Sequence, residues 1–307
     1  MTRVLVVGET LVDVVRRAEE APVELPGGSA ANAAVALARL GVEVSLATAL
    51  GRDRRGALLR QHLDSEGVAW AVDPLVLDRT AVAEAEIDDR GTATYRFDLA
   101  WRLSPDVAGL GDEGAEPPDA LLVSSLAPVL DPGAAQVVDL VTRLGGRCPV
   151  VYDVNARPAI TGAGPGLWEA VRTMAALADV VKASDEDLGV LLPSAGPVEA
   201  ARTLLQAGAG AVALTLGEDG SAWVDLDGVV ELGAPPVEVV DTIGAGDTYG
   251  AGLLAGLLRE GLLRPGERGH RWPRAGLLAA LDLAGRAAAV TVSRAGADPP
   301  TLSEVEG

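Results

Sequence analysis

Residues 241–252 read DTIGAGDTYGAG, four glycines and two acids in twelve positions, and the apolar helical run LLAGLLREG follows at once. Gly244 and Gly246 flank Ala245 just before the pattern turns helical near Asp247. Glycine permits positive φ and lets the backbone approach a ligand closely. The free N–H groups and positive dipole end of a helix start make an anion site. Asp247 at that junction has two readings, an ordinary N-cap or a general base that takes a proton from an attacking hydroxyl. Phosphoryl transfer needs mainly positioning, charge stabilisation and an oriented nucleophile, and the loop can supply all three. Gly250, Gly252 and Gly256 fall inside the helix, where each costs about 0.5–1 kcal/mol against alanine. Something packs very close to that backbone, either a ligand or a second helix.

Outward from this stretch the chain alternates short apolar runs with helical periodicity. Strands are expected at 3–8 (RVLVVG), 44–51, 119–125, 149–154, 178–184 and 211–217, with helices at 29–40, 54–67, 132–144, 166–177, 185–192 and 197–208. Ser29 is placed to cap the first helix and Gly41 to end it. A hairpin near 220–232 precedes two long helices, about 246–260 and 272–292. This rhythm predicts an α/β fold with a mostly parallel central sheet covered on both faces. The stretch 70–99 departs from it: TAVAEAEIDDRGTATYRFDL alternates apolar and polar residues around Asp88-Asp89-Arg90-Gly91, which predicts an antiparallel hairpin with one wet face. Residues 105–118, acidic and bearing Gly and Pro, read as a loop.

Composition narrows the function. The 307 residues carry 25 basic and 44 acidic side chains, a formal charge of −19. Nucleic acids and acidic membranes are poor partners for such a surface. Cys148 is the only cysteine, and His62 and His270 the only histidines, so an internal disulfide, thiolate clusters and multi-histidine metal sites are excluded. The N-terminus lacks a signal-peptide layout and no uninterrupted apolar run reaches the ~20 residues of a membrane span. A cytoplasmic location is expected. Lys182 is the only lysine and follows Val181, so there is no P-loop and no Val-Ala-Ile-Lys signature. The first strand leads into GETLVD without the Gly-x-Gly-x-x-Gly of a dinucleotide site.

GAGDTYGAG at 244–252, preceded by Asp241 and Thr242, resembles the C-terminal signature of the PfkB/ribokinase family of sugar kinases. PGGSAANAAVALARLG at 26–41 resembles that family's N-terminal glycine signature. GETLVD (8–13), LGRDRRG (50–56), DVNARP (153–158), VKASDEDL (181–188), LTLGEDGS (214–221) and VSRAGADPP (292–300) are similar to further family segments, in the same order. The resemblance covers essentially the whole chain. It implies one ribokinase-like three-layer α/β/α domain over 1–307, with a small antiparallel β lid from about 10–25 and 70–101, and a homodimer formed through that lid.

The resemblance also implies roles. Asp247 becomes the base that activates a sugar hydroxyl, and the backbone N–H groups of Gly244, Ala245 and Gly246 the anion hole. Asp13, Gly27, Gly28 and Asn32 match sugar-contacting positions; alone, Asp13 reads equally as a strand-end turn residue and Asn32 as a first-turn residue. Tyr95 and Arg96, with Phe97, lie where a lid could reach substrate; the competing reading makes Tyr95 and Phe97 the apolar face of a hairpin. Asn155 and Arg157 in DVNARP are similar to the Asp-Pro-Asn-Leu-Arg of fructokinase-like and 2-keto-3-deoxygluconate kinase-like members, with valine for proline and alanine for leucine. Arg157 suits an oxyanion or, alternatively, a surface salt bridge. Lys182, Ser184, Thr215, Gly217 and Gly220 match positions around the nucleotide. Asp187 stands near the family's magnesium-linked glutamate, and Asp241, Ile243 and Gly296 match positions around a monovalent cation. ATP and Mg2+ are expected, with K+ as a further ion. Fructose is the expected substrate, 2-keto-3-deoxygluconate the next, and another sugar or nucleoside after that. A non-catalytic protein that kept the fold and binds sugar or nucleotide is the reading from a different class.

Overall fold

The computed structural model describes residues 2–17, 21–87, 93–112, 114, 116–269 and 271–307. Its strands are β1 (Arg3–Val7), β2 (Leu11–Arg17), β3 (Val23–Gly27), β4 (Glu43–Ala47), β5 (Ala69–Trp70), β6 (Val82–Ile87), β7 (Ala93–Asp98), β8 (Ala120–Ser124), β9 (Val150–Asp153), β10 (Val180–Ser184), β11 (Ala211–Thr215), β12 (Ser221–Asp225) and β13 (Gly228–Leu232). The helices are α1 (Ser29–Arg39), α2 (Arg54–Ser65), α3 (Gly133–Leu144), α4 (Pro158–Thr161), α5 (Pro165–Leu177), α6 (Asp185–Leu191), α7 (Pro197–Gln206), α8 (Ala245–Arg259), α9 (Arg274–Val292) and α10 (Leu302–Glu306).

Nine strands form the main sheet in the order β13-β12-β11-β10-β9-β8-β1-β4-β5, parallel except for the β11-β12-β13 edge. Side chains of β1 alternate between two cores. Val4 and Val6 pack with α1, α8 and α9, while Leu5 and Val7 pack with α3, α5 and α7. Both faces are therefore dry, which is why these strands read as unbroken apolar runs. The order reverses at β1, with β4 on one side and β8 on the other. Such a reversal opens a crevice outside the carboxyl ends of the strands.

A second sheet, β3-β2-β6-β7, joins two antiparallel pairings to one parallel pairing, β2 with β6. Its inner residues Val12, Val14 and Val82 share a small core with Leu50 and Leu59. Val23, Leu25 and Tyr95 are exposed. The expected turn at 88–91 lies outside the described residues, as does His270. Residues 70–81 are largely irregular rather than part of the hairpin, and 105–111 form a 3-10 turn rather than open loop.

The helical glycines divide by cause. A Cβ on Gly252 would lie 2.9 Å from Ala284 Cα, and one on Gly256 2.6 Å from Ala280 Cα. Those two exist so that α8 and α9 can touch backbone to backbone. One on Gly250 would meet only Asp153 Oδ2, at 3.4 Å, an ordinary contact. The 19-residue α9 is by length and composition apolar enough to cross a membrane. Its Leu277, Ala280, Leu281, Ala284 and Ala287 instead lie in the core it shares with α8.

Candidate active site

The carboxyl ends of β1, β8 and β9 meet the first turns of α1 and α8. Gly244 caps α8 at φ 76°, where a Cβ would also lie 2.6 Å from Ala297 Cβ. Left-handed backbone and close packing both demand glycine there. The first helical bond runs from Thr248 N–H to Gly244 C=O, so the amides before Thr248 sit at the open end of the helix. Of these, Ala245 N–H turns back to Thr242 C=O at 3.2 Å, so it enters an anion hole only if that turn opens.

Asp247 lies in this turn, 7% exposed. Ser29 Oγ donates to its Oδ1 at 2.7 Å and Asn32 Nδ2 to its Oδ2 at 2.8 Å. Asn155 Nδ2 approaches Oδ1 at 3.4 Å. Asp247 is not an N-cap; Gly244 holds that place and α8 has no side-chain cap. Ser29 does not cap α1 either. Gly28 is the N-cap, at φ 99°, and the Ser29 hydroxyl is spent on Asp247. A Cβ on Gly28 would lie 2.7 Å from Glu9 C=O and 2.8 Å from Thr10 Cα. Asn155 adopts φ 36° and its neighbour across the strand ends, Ser125, φ 50°, with Ser125 Oγ donating to Asn155 C=O. Strained backbone of this kind gathers where structure serves a site.

Asp13, on β2, lies over Gly27, where a Cβ would be 2.1 Å from its Oδ2. Any side chain at 27 would displace that carboxyl. Burial pushes Asp13 up to about 6, with Arg157 pulling it down and Asp247 pushing it further up. Arg157 Nη1 donates to the carbonyls of Ala156 and Asn155, and its charge is felt by Asp13 and Glu9. The structure thus gathers Asp13, Gly27, Gly28, Asn32, Asn155, Arg157, Gly244, Gly246 and Asp247.

Other expected residues are committed elsewhere. Tyr95 is 62% exposed and stacked on Phe97, and Arg96 pairs with Glu86 across β6 and β7. They serve the outer strand of the small sheet. Lys182 Nζ lies 3.1 Å from Asp153 Oδ1 and 3.3 Å from Oδ2, both side chains buried on adjacent strands. Burial opposes its charge, but Asp153, Asp187 and Asp247 outweigh it and raise Lys182 above its usual value. A Cβ on Gly246 would be 3.0 Å from that ammonium, so the lysine sits beneath the start of α8 as the partner of Asp153 rather than free for nucleotide.

Ser184 and Asp187 form the capping box of α6. Asp187 Oδ1 accepts from Ala156 N–H at 2.7 Å and Oδ2 from Ser184 N–H at 2.8 Å. Each oxygen thus carries one backbone donor, which ties Asp187 to the start of α6 and the segment after β9, and the Ser184 hydroxyl accepts from Asp187 N–H of its own helix. Among the described residues no group of three or more His, Cys, Asp or Glu could hold a metal ion. Asp241 Oδ1 accepts from Ile243 N–H and its Oδ2 from Gly296 N–H. The expected cation residues do meet, but as a loop clasp whose carboxylate already has donors. Thr215 ends β11 beside Ser184, and Gly217 and Gly220 shape the next turn at φ 57° and 98°. Three residues escaped sequence reasoning although their segments are quoted above: Glu9, Ser29 as a partner of Asp247, and Asp153.

A pfkB family carbohydrate kinase model matches residues 1–304. The chain belongs to that family. A fructokinase of Rhizobium leguminosarum bv. trifolii is 30% identical over 85% of this chain and 81% of its own length. An aminoimidazole riboside kinase of Salmonella typhimurium is 30% identical over 97% and 91%. The crystal structure of aminoimidazole riboside kinase from Salmonella enterica, complexed with aminoimidazole riboside and an ATP analogue, superposes with a TM-score of 0.80 at 29% identity over 99% of each chain. The protein is an ATP-dependent sugar kinase with the ribokinase-like fold, and fructokinase relatives place it toward the fructokinase branch.

Proposed function

We propose that this kinase transfers the γ-phosphoryl group of ATP to the 6-hydroxyl of D-fructose, with Asp247 as base. The observation that carries the mechanism is the Asp247 carboxylate, fixed by Ser29, Asn32 and Asn155 at the open end of α8. A sugar hydroxyl lying between Asp247 and that helix end gives its proton to the carboxylate as its oxygen attacks phosphorus in line. The amides at the start of α8 receive the charge that develops on the transferring group. Asp13, Asn32, Asn155 and Arg157 surround the same space and orient the sugar. Magnesium would enter on the ATP phosphates, needing few protein ligands, and would offset phosphate charge there. Val239, Val240 and Ile243, exposed just before α8, offer apolar surface to a nucleotide base. The small sheet, carrying Asp13, is placed to close over the sugar and exclude water.

Fructose is favoured by the fructokinase relatives. Aminoimidazole riboside is the second reading, favoured by a relative that matches 97% of the chain. ADP release measured over fructose, aminoimidazole riboside, 2-keto-3-deoxygluconate and ribose separates them. The expected result is the highest kcat/KM on fructose; a higher value on the riboside would overturn the assignment.

A further inference from the structure

Glu9 stands just beyond β1, where the strand order reverses. It is 7% exposed and its Oε2 has no hydrogen-bond partner. The backbone amides of Glu9 itself and of Ser29 bear on its carboxyl. Ser29 then donates its hydroxyl to Asp247, so one residue touches both acids. The approach of Gly28 to Glu9 and Thr10 packs this strand end directly against the start of α1. A buried carboxylate oxygen without a donor is costly, more so beside another carboxylate. A proton on Oε2 removes the charge and leaves only the smaller cost of an unpaired hydroxyl. Burial above all, with Asp247 adding to it, pushes Glu9 up to about 8.

We propose that Glu9 is a positioning residue for Asp247: its carboxyl takes the Ser29 N–H and so holds Ser29 against the base, protonated on Oε2 it does this without adding charge, and when ionised it sets a second negative charge there and slows turnover. The proposal rests on Asp247 being the base. The charged and titratable groups that face Glu9 are Asp247 from α8, Arg157 from the segment after β9 and Tyr152 from β9. Asp13 from β2 shares the first two as neighbours. Two acids side by side are thereby kept apart in role, one holding a proton and one free to take it.

The kcat of the wild-type enzyme is expected to fall on the alkaline side with a midpoint near 8, where Glu9 ionises. Glu9→Gln, neutral and of the same shape, keeps kcat at neutral pH within about threefold and loses that fall. Glu9→Ala lowers kcat about tenfold or more while KM for ATP stays unchanged. A Glu9→Gln enzyme that retains the alkaline fall overturns the proposal, as does Glu9→Ala with wild-type kcat. Should Glu9→Ala fail to fold by circular dichroism, Glu9→Gln decides alone. Infrared difference spectra give a readout free of turnover: a carboxylic-acid carbonyl band lost as pH passes about 8 in wild type and missing in Glu9→Gln. No such band overturns the proton on Glu9 even in an active enzyme. A wild type inactive on every sugar, with the band present, counts against the role of Asp247 and leaves the proton where it was placed.

Discussion

At the scale of single residues, Asp247 is a carboxylate with every geometric demand met by neighbours: Ser29, Asn32 and Asn155 fix its plane before any substrate arrives. Asparagine at 247 keeps the shape and can still accept from Ser29, but it cannot take a proton. Asp247→Asn is therefore expected to lower kcat by roughly 10²–10⁴-fold, the usual worth of a general base, with KM for sugar and ATP within about threefold. A coupled ADP-release assay run over sugar and ATP concentration reads both. Near-normal turnover would remove the base assignment. Asp247 was legible in the sequence because glycines on both sides of an acid at a helix start are a local pattern. Its three donors were not, since they come from residues 29, 32 and 155, brought near only by the sheet.

At the scale of elements, α8 is shaped by two different demands on glycine. Gly244 answers to backbone conformation at the site, while Gly252 and Gly256 answer to α9. Gly256→Ala forces a Cβ to within 2.6 Å of Ala280 Cα and is expected to cost roughly 1–3 kcal/mol by overpacking. Gly250→Ala, with its nearest atom at 3.4 Å, gains helix propensity and is expected to be neutral or slightly stabilising. Urea unfolding of the two variants checks this; equal losses would mean that close helix packing is not what placed Gly256. The main-sheet strands and the long helices were legible because a strand buried on both faces must be apolar throughout. The caps were misread at Ser29, whose hydroxyl is drawn to an acid 218 residues away. In the small sheet the parallel pairing of β2 with β6 joins strands some 70 residues apart, and no local pattern encodes such a partner. Lys182 could be seen as singular but not as buried, because its counter-ion lies on the neighbouring strand.

At the scale of the whole molecule, the fold gathers acids at one end of a chain already carrying a charge of −19, and its stability should record this. Glu9 is pushed up to about 8 and Asp13 to about 6, chiefly by burial. Both therefore hold protons more tightly folded than unfolded. Their contribution is fully present below the ordinary carboxylate range and is lost as pH rises through about 6 for Asp13 and about 8 for Glu9. For Asp13 the loss is roughly 3 kcal/mol at 1.36 kcal/mol per pKa unit. Glu66, held low by its hydrogen bonds to Arg39, acts in the opposite sense: its contribution is lost only as pH falls below the ordinary range. The ligand-free enzyme is thus expected to be most stable in mildly acidic solution and to melt progressively lower from pH 5 to pH 8.5, about where the two acids ionise. Asp13→Asn removes one ionisation, so it should flatten that slope and raise Tm at pH 8 while raising KM for the sugar, a site residue kept at the expense of stability. Differential scanning calorimetry across this range decides the matter. A Tm that climbs steadily toward pH 8 in the wild type, or an Asp13→Asn slope equal to it, would show that these carboxyls are not buried against their charge.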